Sequence, residues 1–307
     1  MPDTVKYLVF DIESVTDPRL VQQIKYPGEE ISPEEAIFRF REERMEKTGS
    51  DFIPYTFHVP TSIAIAKVSA QYELIDLVVL DAPQYRPHVM TEHFWRGWDK
   101  YNKPTFVTFN GRGFDIPLME LSAFRYGVSV PNWFATHARS FDQPRNRYNT
   151  SSHIDVCELL TNFGCTRFNG GLNLSASLLG KPGKMNVQGS MVQDMFDEGR
   201  LDEINDYCRC DVLDTYFVFL RTRVLVGDLT LEQEQELVRK TKVWIESKSE
   251  ERAFQLYLEH WGEWENPWVK KAEPNAEPEP ELEPELDIVS EPEAAPEPDS
   301  GNPGPEA

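Results

Sequence analysis

YLVFDIES, residues 7–14, runs from apolar residues straight into two carboxylates, Asp11 and Glu13, with one residue between them. Tyr, Val, Phe and Ile suit a pleated, buried strand. Side chains alternate between the faces of a strand, so residues i and i+2 point the same way. A first strand over 5–10 therefore projects both acids together from its C-terminal end, where ligands tend to bind in α/β sheets. A solvated strand end would account for the pair equally well, and Asp-x-Glu is a weak signal in a chain with 52 acidic residues.

Working outward, residues 19–60 read as an insertion with its own helix. In SPEEAIFRFREERMEK, Ser32 and Glu35 have capping-box spacing, and FIPYTFHVP then crowds Pro with aromatic residues. SIAIAKVSA (62–70) and YELIDLVVL (72–80) read as strands continuing the first one antiparallel. A helix over 90–101, a buried strand at 105–109 and a helix over 115–127 closed by Gly127 follow. Residues 128–153 are irregular and polar. Short helices are expected at 155–163 and 172–180, helical sequence from Met191 to about Val226 interrupted at Gly199, and one further helix over roughly 230–261. Strands first, then helices interleaved and dominant, indicate an α/β domain with a mixed sheet. The domain division read from the sequence is 1–228 with the 19–60 insertion, a helical extension over 229–271, and a tail over 272–307.

That tail holds twelve Asp or Glu and nine Pro with no Lys or Arg. It offers little to bury and is expected to be disordered, with its charge available to a basic protein partner. The chain's formal net charge is −21, and removing the twelve tail charges leaves about −9. Such a balance argues against a broad basic footprint for nucleic acid, but not against a small acidic site that grips phosphate through metal ions. The sequence has no run of about 18 apolar residues and no basic-then-apolar leader. With four cysteines, none at ordinary zinc-knuckle spacing, a reduced cytoplasmic protein away from membranes is expected.

Two further clusters repeat the acidic design. In TFNGRGFDIP (108–117) a buried strand ends, Asn110 and two glycines permit a tight turn, and Asp115 starts a helix. Asp115 could serve simply as an N-cap. Phe114 would anchor the turn, and Asn110 could donate to a carboxylate or to substrate. In NDYCRCDVLDTY (205–216), Tyr207 and Asp211 are four apart and stack on one helix face. Asp206 and Asp214 lie elsewhere around that helix, where solvation would explain them. Carboxylates gathered within about 4 Å repel by roughly 1–4 kcal/mol per pair, so a fold keeps such a cluster when cations compensate. Oxygen ligands alone suit Mg²⁺ or Mn²⁺.

The three clusters in this order resemble the proofreading exonuclease domain of family B DNA polymerases, within the DEDD superfamily of 3′–5′ exonucleases. Asp11-Ile12-Glu13 is similar to that family's first motif, Asn110 through Asp115 to its second, and Tyr207 through Asp211 to its third, the form that marks the tyrosine subclass. The resemblance covers about residues 5–225 and leaves no room for polymerase domains. It implies a ribonuclease-H-like fold, with a mixed β-sheet flanked by helices. It also implies a stand-alone enzyme that removes nucleoside 5′-monophosphates from a free 3′ end with two divalent cations, Mg²⁺ or Mn²⁺. Asp11, Glu13 and Asp211 would hold the first cation, Asp11 and Asp115 the second, and Tyr207 would place the attacking water. Asn110, Arg112, Phe114 and Asp155 are expected around the substrate, although Asp155 also fits a plain N-cap. Lys184, Arg139, Arg145 and Arg147 are further phosphate candidates, with Phe141 and Tyr148 for base stacking. Single-stranded DNA is the first expectation for the partner and RNA the alternative. An exoribonuclease, a small-oligonucleotide phosphodiesterase of the same fold and a catalytically silent nucleic-acid-binding protein are the competing readings.

Overall fold

The computed structural model describes residues 4–183 and 189–269. The acidic tail and Lys184 lie outside the described residues. The sheet begins with β1 (Val5–Thr16), followed by the inserted helices α1 (Pro18–Lys25) and α2 (Pro33–Thr48). Next come β2 (His58–Ser69), β3 (Leu74–Val79), α3 (Pro87–Lys100), β4 (Thr105–Thr108), α4 (Asp115–Tyr126) and the single turn α5 (Pro131–Phe134). Then β5 (His153–Asp155), α6 (Val156–Leu160), α7 (Gly171–Ser177), α8 (Val192–Asp197), α9 (Leu201–Leu225), α10 (Leu231–Glu246) and α11 (Arg252–Glu259) follow among the described residues. Strand order is β3-β2-β1-β4-β5, antiparallel on the β2–β3 side of β1 and parallel on the β4–β5 side. This is the ribonuclease-H-like mixed sheet flanked by helices.

Alternation along β1 sorts the two layers. Leu8, Phe10 and Ile12 pack with Ile63, Ile65 and Phe106 against α3 and α4, around Phe94, Trp95, Trp98 and Met119. Val9 packs on the opposite face with Ala64, Ala66 and Val107 against α9. That second layer also takes in Leu237 and Ile245 of α10 and Phe254 and Tyr257 of α11, so both C-terminal helices share the core of the sheet. A compact unit extends to Glu265.

Local chemistry sets the helix ends. Asp17 caps α1 by accepting from the Leu20 amide at 3.2 Å, and Ser32 caps α2 by accepting from Glu35 at 3.1 Å. Each cap precedes a proline, whose missing N–H costs nothing in a first turn. Gly49 closes α2 with a left-handed φ of 72°. The insertion has a small core of its own, built from Val21, Tyr26, Ala36, Phe40 and Ile53.

Three sequence expectations change. The first strand does not stop before the acids. It continues to Thr16 beside β2, with an irregularity between Glu13 and Ser14, because β2 pairs along its whole length while β4 ends early. The single helix expected over 230–261 is two, α10 and α11, since Ile245 and Phe254 must both reach the same core across a turn. Asp214 is not solvated: it is fully buried, and Tyr257 Oη donates to its Oδ1 at 2.7 Å.

Burial pushes the Asp214 carboxyl up to about 7, against which the Tyr257 hydrogen bond and the Lys181 charge act. A folded pKa above the unfolded one near 3.8 makes ionisation oppose folding, so the penalty is absent at low pH and grows as pH rises through both values. Asp214→Asn therefore gains stability relative to the parent between pH 4 and pH 8, by as much as about 4 kcal/mol. Denaturant unfolding at the two pH values measures this, and a difference independent of pH would contradict it.

Candidate metal centre and active site

Asp11 and Glu13 share the β1 face of Val9 and so look toward α9, which carries Asp211. Ligand oxygens of Asp11, Glu13 and Asp211 lie within 4.8 Å of one another, the sole such acidic, histidine or cysteine grouping among the described residues. Helix α9 is fastened there by two contacts. Cys208 Sγ donates to the Asp11 carbonyl oxygen at 3.3 Å, and Ser62 Oγ, on the strand position facing Glu13, donates to Asn205 Oδ1 at 2.6 Å. One turn of helix then separates Tyr207 from Asp211, and their side chains are hydrogen-bonded.

Asp115 reaches the cluster from the first turn of α4, below the end of β4, and is 5% exposed. It stands outside the 4.8 Å group, yet it senses the group. Its carboxyl is raised well above the usual range, first by burial and next by the negative charge of Asp11. Burial likewise pushes Asp11 up to about 6, with the Ile12 amide and the Cys208 thiol pulling the other way. Burial in both cases, and a neighbouring carboxylate in the case of Asp115, disfavour the charged form. An all-oxygen donor set of this charge fits a hard divalent cation such as Mg²⁺ or Mn²⁺. The Tyr207 hydroxyl is held far above its ordinary pKa by burial and then by Asp211, Glu13 and Asp11.

The turn between β4 and α4 is shaped from below by Asp155. Its carboxylate accepts from the amides of Asn110 and Arg112 at 2.9 Å each. It also caps α6 by accepting from Cys157 at 3.0 Å and Glu158 at 3.3 Å. Four backbone donors therefore converge on Asp155, which stands as a brace for the turn. Gly111 has no room for a side chain, because a Cβ there would lie 2.5 Å from the Thr108 side chain. Asn110 takes a left-handed φ of 61° and is exposed. Arg112 turns away from open solvent, donating to Glu158 at 2.8 Å and to the His153 carbonyl oxygen at 3.0 Å. The other described arginines weighed for phosphate are also engaged: Arg139 with Asp142, Arg145 with Glu120 and Arg147 with Glu158. Phe141 and Tyr148 are exposed, and neither lines the cleft that opens beside the acids.

That cleft holds about 760 Å³. Glu13, Asn110 and Phe114 border it on the side of the sheet, and Arg41, Phe52 and His58 on the side of the insertion. Sequence reading passed over the last three. The aromatic crowding of FIPYTFHVP was the available signal, but nothing local says that the insertion folds back over the acids. His58 fastens it: Nδ1 faces Ser14 Oγ at 3.0 Å and Nε2 faces the Ile53 carbonyl oxygen at 3.0 Å. Burial drops the imidazole pKa to about 4, so at neutral pH it serves as an uncharged link.

No helix among the described residues is long and apolar enough to cross a membrane. No curated protein matches the chain. The family model described as "Predicted 3'-5' exonuclease related to the exonuclease domain of PolB" matches residues 50–266, a span that holds Asp115, Tyr207 and Asp211 and begins after Asp11 and Glu13. The match covers well over half of the chain, and a compact acidic cluster able to bind a metal ion accompanies it. The chain thus belongs to the family of 3′–5′ exonucleases related to the exonuclease domain of PolB, with nuclease-like catalytic character.

Proposed function

We infer that the protein is a divalent-metal-dependent 3′–5′ exonuclease acting on single-stranded nucleic acid, with DNA as the preferred polymer. The observation that carries this is the convergence of Asp11, Glu13 and Asp211 within 4.8 Å, from two elements 200 residues apart in sequence, inside a chain of an exonuclease family. In this reading Asp11, Glu13 and Asp211 hold one cation, and Asp11 with Asp115 a second. When bound, two such cations polarise the phosphodiester, acidify the attacking water and stabilise the leaving oxygen. Water adds to the terminal phosphorus, the P–O3′ bond breaks, and a nucleoside 5′-monophosphate leaves while the shortened strand keeps a 3′-hydroxyl.

The chain's own groups prepare this step. Burial and three neighbouring carboxylates keep Tyr207 protonated, which suits a hydroxyl that orients water and disqualifies it as a base. Asp155 and Arg112 fix the turn that carries Asn110 and Asp115, and exposed Asn110 meets the substrate. Four free cysteines agree with a reducing, cytoplasmic setting.

A 5′-labelled single strand incubated with Mn²⁺ or Mg²⁺ should shorten stepwise from its 3′ end, and chelator should stop it. Parallel DNA and RNA strands read the sugar preference, and a dinucleotide beside a 20-mer reads the length preference. Failure to release nucleotide from any of them would sink the proposal. Variants separate the roles. Asp211→Ala should abolish turnover and weaken Mn²⁺ binding measured by calorimetry. Tyr207→Phe should leave Mn²⁺ binding intact while lowering kcat on the order of 100-fold, the cost of a misplaced reactant. Full turnover in Tyr207→Phe would remove the assigned role of the hydroxyl.

A further inference from the structure

The cleft beside Glu13 has a size typical of small-molecule sites, about 760 Å³, and its far side is supplied by the insertion. Phe52 is 52% exposed there. Its ring centroid lies 5.6 Å from that of His58 and 6.1 Å from that of Phe114, so a group of aromatic rings borders open space. The exposed ring sits on a fixed backbone. Arg44 Nε donates to the Phe52 carbonyl oxygen at 3.2 Å, the Phe52 amide donates to Ser50 Oγ at 3.3 Å, and the next residue, Ile53, is buried in the core of the insertion.

Arg41 supplies the second observation. It is the one Lys or Arg among the described residues lining the cleft, where the carboxylates are Glu13 and Asp51. The arginines near the second motif are all committed to Glu or Asp. Arg41 has no ion pair among the described residues, and its charge is felt by His58. A half-buried, unpaired guanidinium beside an exposed ring matches what a single strand offers, a phosphate next to a flat base.

We propose that the insertion forms half of the substrate site, with Phe52 stacking on the 3′-terminal nucleobase and Arg41 holding a backbone phosphate of the same strand. This rests on the exonuclease reading above and adds to it a base-binding subsite made outside the three acidic motifs. The terminal base is gripped by its face, so all four bases are accepted, while an end without a base is bound poorly.

Binding tests this apart from catalysis. Fluorescence anisotropy of the full chain with a 5′-labelled 12-mer DNA, with Ca²⁺ in place of Mg²⁺ or Mn²⁺, gives Kd for a strand with an ordinary 3′ end and for the same strand ending in an abasic nucleotide. Phe52→Ala should raise Kd for the first by about 5- to 150-fold, the range for losing one stacking ring, and leave Kd for the abasic strand unchanged. Phe52→Tyr should retain parent affinity for both. Arg41→Gln should reduce the slope of log Kd against log salt by about 0.7, one phosphate contact on a single strand. Equal effects of Phe52→Ala on both strands, no effect on either, an unchanged salt slope in Arg41→Gln, or no binding by the parent chain would each overturn the proposal. Parent protein that shows this binding signature but releases no nucleotide with Mn²⁺ would instead refute the exonuclease reading and leave the subsite standing.

Discussion

Every second residue of an extended strand faces the same way, and β1 uses both halves of that rule. Leu8, Phe10 and Ile12 are committed to one helical layer. Val9, Asp11 and Glu13 are thereby committed to the other, where α9 brings Asp211. The acids cannot turn away from each other without taking the apolar residues out of the core. Their crowding is thus imposed by hydrophobic packing: burial raises the pKa of Asp11, and burial followed by the charge of Asp11 raises that of Asp115. The sheet holds together a group of acids that could coordinate a divalent cation.

How the rest of the molecule treats charge follows the same logic. A protein that grips a polyanion through metal ions, as proposed above, has little use for a broad positive surface. Arg112 and Arg147 both pair with Glu158, and Arg145 with Glu120, so these cations brace the turn before α4 and the segment that leads into α6. In the reading proposed above, the attraction for phosphate is concentrated instead at the acidic pocket, once cations occupy it, and at Arg41 on the facing insertion.

Much of this could be read from the residues. Asp11 and Glu13 sit on a period-two segment, and Tyr207 and Asp211 on a helical one, so local geometry alone pairs them. Ser32 and Gly127 marked helix ends through their own backbone chemistry. What escaped was set by distant packing. Strand β5 has three residues and follows a polar stretch, too short for any pattern to show. Both Asp206 and Asp214 of α9 face the later helix α11, Asp206 across from Arg252 at its half-open edge and Asp214 against Tyr257 in the core. Asp155 has the local signature of an N-cap, and it is one. Its two further bonds to Asn110 and Arg112 depend on β4 and β5 being neighbours, which no short window of sequence contains. The cleft needs an insertion to fold back across the sheet, tied by the His58 link to Ile53.

The strand order has a practical corollary. Among the described residues, the β1 strand alone joins the antiparallel pair β2–β3 to the parallel pair β4–β5. A chain beginning at residue 50, where the family match starts, would lack the middle of its sheet. It would be left with two separate ribbons, each with a raw edge of unpaired amides and carbonyls open to pairing with a neighbouring molecule. Isolated two-stranded ribbons are marginal in water at best. Residues Val5–Thr16 are therefore a keystone as well as the carrier of Asp11 and Glu13, and a fragment trimmed to the matched span should come out of expression as aggregate.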